Sequence, residues 1–200
     1  MINFDKTNRQ LLTSACLSCS DPHFSRPIEE LPHVGCCSYS PVFSLFELSK
    51  VVTEDPSFYF NLVNQDANTV NDYTIRINAW IHPAYQKHDH SLKRSTIEQE
   101  DLKISYSICR FFKENQGCTL KSSFKNAVCR SFICSTVEDR LSTDEKSHLL
   151  EWVQDIQSEA TSFHRKHEAI LKERRLSLKE HPNQVFSYLK HSQTKQHHFK

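Results

Sequence analysis

Eight cysteines stand out in this chain, in two groups: Cys16, Cys19, Cys36 and Cys37, then Cys109, Cys118, Cys129 and Cys134. Sulfur at this density has three uses: disulfides, metal ligation, or scattered buried thiols. Cys16-Leu-Ser-Cys19 is a C-x-x-C pair, short enough for both sulfurs to reach one metal from a single turn, whose backbone amides can donate to the thiolates. Cys36 and Cys37 are adjacent. In extended backbone their side chains point to opposite faces, so they serve separate metals unless a sharp turn after Gly35 re-aims one of them. The second group is spaced more widely, and loops must gather it. The chain has only two glycines, Gly35 and Gly117, and each directly precedes a cysteine. That placement predicts tight turns at the ligands. Arg110, Lys121, Lys125 and Arg130 lie within the second group and can offset thiolate charge; a solvated basic loop is the competing reading.

Compartment decides between the three uses of sulfur. The first ten residues, from Met1 to Gln10, contain no apolar h-region. No stretch approaches the roughly 18 apolar residues that span a bilayer. The expectation is a cytoplasmic protein with reduced thiols, which favours metal over disulfides. All eight cysteines are then candidate ligands. Four thiolates suffice for a [4Fe–4S] cluster or a zinc ion, so eight allow two centres, or one with spare thiols.

The elements that must position these sulfurs read as a mixed α+β chain. Residues 1–15 suggest a short helix or arm leading to Cys16. Residues 20–35 are Pro-rich and irregular. Val42, Phe43, Phe46 and Val52 fall at helical spacing. Asp55-Pro56 predicts an N-cap followed by proline at the first helical position, opening a second helix to about Val63. Residues 66–72 read as a polar turn. Tyr73, Ile75, Ile77, Ala79 and Ile81 alternate with polar residues, predicting a strand. Residues 102–109 alternate likewise and predict a second strand, paired antiparallel to the first across an exposed loop at 82–101. Ser142-Thr-Asp-Glu145 is a capping box. It opens a helix of roughly 30 residues with Leu149, Val153, Ile156, Ala160, Phe163, His167 and Ile170 on one stripe. Pro182 marks its limit, with a polar, basic tail beyond. The expected organisation is a small, loop-rich cysteine-cluster domain over residues 1–140 with a short antiparallel strand pair, then a helical segment over 141–200.

The cysteine pattern resembles a family. The order C-x-x-C, then Cys-Cys, then Cys109-Arg-Phe-Phe-Lys-Glu-Asn-Gln-Gly-Cys118-Thr-Leu and Val128-Cys129-Arg130-Ser-Phe132-Ile-Cys134, is similar to that of bacterial cysteine-cluster proteins of the YkgJ type, over roughly residues 14–135. That resemblance implies a zinc- or iron-chelating domain. The chain departs from the family in the sixteen residues between Cys19 and Cys36, and in having Arg110 and Ile133 where proline is common. Flagellin lysine methylases carry a similar cluster within a larger chain, which implies an alternative: a cofactor-dependent enzyme.

Other features point elsewhere less directly. His82, His88 and His90 lie in the polar loop. His164 and His167 sit at i, i+3 on the long helix and could share a metal, but His167 falls on the apolar stripe and reads as a packing residue. His191, His197 and His198 read as solvated tail. Residues 164–200 carry nine Lys and Arg against three acids. This helix is a candidate surface for an acidic protein partner, although a solvated face explains it as well. Without interleaved aromatics or a named motif, nucleic acid is not an expected partner. Overall charge is +1, which gives no general argument for polyanion or membrane binding. No G-x-S-x-G, P-loop or G-x-G-x-x-G occurs.

Overall fold

A computed structural model describes residues 2–17, 19, 21–87 and 94–194. The chain opens with a hairpin, strands β1 (Ile2–Asp5) and β2 (Gln10–Thr13), in place of the expected helix or arm. Turn chemistry decides this. The Asp5 carboxylate accepts from Asn8 N at 3.1 Å, Asn8 Nδ2 at 2.8 Å and Gln10 Nε2 at 2.9 Å. Arg9 takes a left-handed φ of 49° to close the turn.

The central unit begins at β3 (Val42–Ser44) and helix α1 (Leu45–Glu54). Ser44 caps α1 in a box with Glu47, so Val42 and Phe43 belong to the strand and not to the helix. Helix α2 (Pro56–Asn64) starts as expected, with the Asp55 side chain accepting from Phe58 N at 3.0 Å. The expected polar turn at 66–72 contains strand β4 (Asn68–Val70), which pairs with β5 (Thr74–Ile77). The sheet order is β3-β5-β4, all antiparallel.

Strand β6 (Trp80–Ile81) follows. Residues 96–105, expected as loop and then strand, form helix α3 (Thr96–Ser105), capped by a Ser95–Glu98 box. Only Ser107–Ile108 remains as strand β7. It pairs antiparallel with β6, Trp80 opposite Ile108, so the expected pairing survives at two residues per strand. A small hairpin, β8 (Phe112–Lys113) and β9 (Gly117–Cys118), comes next. Short helices α4 (Ala127–Ser131) and α5 (Ser135–Glu138) lead into α6 (Thr143–Glu173), which the Ser142–Glu145 box caps as expected. Beyond it the expected tail is a further helix, α7 (Pro182–Thr194), with Val185 and Leu189 fully buried.

The fold is α+β with small antiparallel sheets and a long C-terminal helix. One apolar core joins Phe43, Leu48, Val51 and Tyr59 to Ile75 and Ile77 of the sheet, and to Phe163, Leu171, Val185 and Leu189 of α6 and α7. The Tyr59 hydroxyl donates to Pro182 O at 3.0 Å, fixing the start of α7. A smaller cluster packs Leu141, Leu149, Trp152 and Ile156 against Ile2, Phe4 and Leu11 of the first hairpin. No described helix is long and apolar enough to cross a membrane.

Candidate metal centre

Each cysteine sits at the end of an element or in a turn, and only Cys109 is buried. Cys16 lies on a single 3-10 turn, Ser14–Leu17, directly after β2, and Cys19 follows it. Cys36 and Cys37 share a second 3-10 turn, Gly35–Ser38. Cys109 follows β7, Cys118 ends β9, Cys129 is in the first turns of α4, and Cys134 is the N-cap of α5. None of the eight is in a disulfide; Cys109 is buried, while Cys16, Cys118 and Cys129 are exposed.

Both glycines do what their positions suggest, for a reason the sequence does not display. Gly35 has φ +54°, and a Cβ there would lie 2.5 Å from Cys19 Sγ. Gly117 has φ +71°, and a Cβ there would lie 3.2 Å from the carbonyl oxygen of Cys16. The first glycine thus lets Cys19 press against the Cys36-Cys37 turn. The second lets the C-x-x-C segment press against β9. Cys37 has φ −78° and ψ 16°, bridge-region backbone rather than extended. The turn therefore does not send the two neighbouring side chains to opposite faces as an extended strand would. A backbone bond from Cys109 N to Cys37 O, 2.6 Å, ties the early and late groups together.

Sequence reading missed Asp21, which is buried at 4% exposure. Its Oδ1 accepts from His23 N at 3.0 Å and caps the turn Pro22–Phe24. Its Oδ2 accepts from Ser135 Oγ at 3.0 Å, Thr136 N at 3.1 Å and Thr136 Oγ1 at 2.9 Å. The Thr136 amide and the other donors hold its carboxyl far below the usual range. Through Ser135 and Thr136 it fastens the Cys19 loop to the Cys134 loop. The signal was available: Asp-Pro is the same N-cap and first-position pair as Asp55-Pro56.

The thiols press on one another electrostatically. Burial, then the charges of Cys36 and Cys134, push Cys16 up to about 11. Burial, then Cys109 and Cys118, push Cys129 up to about 12. Cys37 is raised by its bond to Cys36 and by burial, and Cys109 and Cys134 chiefly by burial. Cys36 alone goes down, to about 7, because the Cys37 thiol donates to it. Of the four cations within the second group, Lys125 acts on both Cys16 and Cys129. Arg130 is buried beside Cys129, with its guanidinium over the Phe46 ring and Nη1 donating to Asn8 O at 3.3 Å. Arg110 donates to Asn78 O, and Lys121 pairs with Glu54. The charge-balancing reading therefore narrows to Lys125 and Arg130.

Among the described residues, no three His, Cys, Asp or Glu side chains close on a common point as metal ligands would. What fits a metal is the donor set, soft sulfurs from separate segments that approach one another pairwise: Cys19 at Gly35, the Cys16 carbonyl at Gly117, and Cys109 N at Cys37 O. Protonated thiols can share such a space without repulsion, and a bound ion or cluster would replace their protons.

The histidines do not join them. His164 faces Leu45 N through Nδ1 at 3.4 Å and Glu168 through Nε2. His167 is buried, its Nδ1 2.6 Å from the Tyr188 hydroxyl and its ring 4.0 Å from that of Phe163. The two therefore serve α1 and α7 separately, and His167 is a packing residue. His82 accepts from Ala84 N at 3.2 Å, and His191 is exposed on α7. His88, His90, His197 and His198 lie outside the described residues.

Comparison with protein-family models, with curated proteins and with solved structures returns no match.

Proposed function

We propose that this protein is a metal-binding module that holds zinc or an iron–sulfur cluster through thiolates of Cys16, Cys19, Cys36, Cys37, Cys109, Cys118, Cys129 and Cys134. One observation carries the reading: the early and late cysteine segments are neighbours, tied by the Cys109 N to Cys37 O bond and by the contact of Gly117, beside Cys118, with the Cys16 carbonyl. Random buried thiols do not need left-handed glycines to let them approach. The described backbone around the cysteines is built of short pieces, 3-10 turns, two-residue strands and helices of five residues or fewer, which a bound metal would hold together. A structural zinc would supply on the order of 10 kcal/mol toward ordering these loops; an iron–sulfur cluster would add one-electron chemistry.

The test is oxygen-free purification of the full chain followed by iron, acid-labile sulfide and zinc analysis. Stoichiometric zinc, or iron with matching sulfide and a brown chromophore, is the expected result. Folded protein that carries neither, and takes up neither on reconstitution, ends the reading.

A further inference from the structure

Helix α7 is held to the rest of the chain by apolar burial and by two polar contacts. Val185 and Leu189 are fully buried in the shared core, and the Phe186 ring packs on those of Tyr59 and Phe60 at 5.4 and 5.0 Å. The Tyr59 hydroxyl donates to Pro182 O at 3.0 Å. The other polar contact joins α7 to α6: the Tyr188 hydroxyl lies 2.6 Å from His167 Nδ1. His167 is 5% exposed. Its second ring nitrogen, Nε2, is shut off from solvent and has no hydrogen-bond partner among the described residues.

A neutral imidazole carries one ring proton, and the imidazolium carries two. Protonated in place, His167 would hold a charged Nε2–H with no acceptor, an unfavourable burial. No neighbouring carboxylate is free to take that charge. On α6 itself, the adjacent Lys166 is a cation, Glu168 bonds Lys172 at 2.7 Å and faces His164 at 3.4 Å, and Glu173 is exposed. On the side of α7, Arg174 stands 5.2 Å over the Tyr188 ring, Lys190 lies over Phe186, and Glu180 lies 4.0 Å from His181 Nδ1. Helix α1 packs on both helices. Its Glu47 is taken by Ser44, its Lys50 lies over the Phe46 ring, and its Glu54 pairs with Lys121.

We infer that α7 is an acid-released latch: protonation of His167 at the α6–α7 contact undocks residues 182–194 and uncovers the apolar faces of α1 and α2 beneath Val185, Phe186 and Leu189. The hinge lies just before the helix. Leu178 is fully buried and its N–H donates to Asp72 O at 2.8 Å, so the chain stays anchored there while the segment beyond it swings. Undocking gives both ring nitrogens water, which is the differential interaction that a two-state switch requires. Burial first, then the charge of Lys166, lowers the pKa of His167 in the docked form. The docked form is therefore fully favoured above about pH 6.5, the value for an exposed histidine, and is lost progressively below it.

Hydrogen exchange of the full chain tests this, read as protection factors corrected for intrinsic exchange at pH 7.5 and pH 5. Wild type is expected to lose protection over residues 186–192 by about tenfold, with a ceiling of about 30-fold set by one proton at pH 5. Leu178 and the amides of α1 are expected to hold. His167→Phe fills the ring's place without titrating and is expected to keep α7 protected at both pH values. No loss in wild type, an equal loss in His167→Phe, or a loss shared by Leu178 and α1 overturns the inference. A measurement on wild type alone covers a variant that fails to fold. The His167 ring resonances, identified by their proximity to Phe163 and Tyr188, are expected to titrate over the pH interval in which α7 loses protection. A ring that stays neutral while α7 is released overturns the latch.

Discussion

Gly35 combines two demands in one residue: a left-handed φ of 54° and a would-be Cβ 2.5 Å from Cys19 Sγ. Gly35→Ala is therefore expected to cost about 1–2 kcal/mol from backbone strain alone and to displace Cys19 as well. Urea unfolding reads the first and cadmium affinity the second; an alanine variant matching wild type in both would remove the glycine from the argument. Its place before a cysteine was visible in the sequence, but the partner it makes room for was not, because Cys19 reaches it only through the fold. For Asp21 the sequence showed only the local half, the Asp-Pro cap; three of the four hydrogen bonds it accepts come from Ser135 and Thr136, which only the fold brings near. His167 carries a pH dependence. Burial first, then the charge of Lys166, lowers its pKa below 6.5. The unfolded chain then binds the proton more readily than the native one, so this histidine leaves stability whole above about pH 6.5 and erodes it as pH falls through that value. The urea midpoint of wild type is expected to drop more than that of His167→Phe between pH 7.5 and pH 5; equal drops would contradict the sign.

Among the elements, α7 departs most from its sequence. Gln, His and Lys dominate its surroundings, and Pro182 reads as a stop. It is instead the first residue of a helix, where proline's missing N–H costs nothing. The apolar signal was Val185, Phe186, Tyr188 and Leu189, little more than one helical turn and too short a stripe to stand alone, yet Val185 and Leu189 are fully buried against the shared core. Leu189→Ala is expected to cost about 2–5 kcal/mol, measured by chemical denaturation, whereas a truly frayed tail would lose nothing. Ser142→Ala, which removes half of the capping box on α6, is expected to cost about 1 kcal/mol. The two α6 signals, cap and stripe, were legible because they are local and periodic. Helix α3 was not: its Ser95–Glu98 box is equally local, but the alternation at 102–109 imitates a strand and only two residues of it pair.

At the level of the whole molecule, the second cysteine loop sends Leu120 and Phe124 into the apolar core, while the cysteines themselves are not among that core's members. Phe43, Val51, Ile75, Leu171 and Leu189 pack without any cysteine between them. Stripping metal with a chelator is therefore expected to raise hydrogen exchange across 107–134 while the amides of α1, α6 and α7 keep their protection. Global loss of protection would mean that the core needs the metal too. The fold class was legible because periodicity reports burial; the companionship of Cys134 with Cys19 was not, because it is carried by loops without period. The two tryptophans lie in different surroundings. Trp152 is 7% exposed against the rings of Phe4 and His148, while Trp80 is 44% exposed and pairs with Ile108, the residue before Cys109. The native chain thus carries its own pair of optical gauges: a red-emitting indole whose light a nearby iron or cobalt centre would dim, and a blue-emitting one that responds only when α6 comes loose.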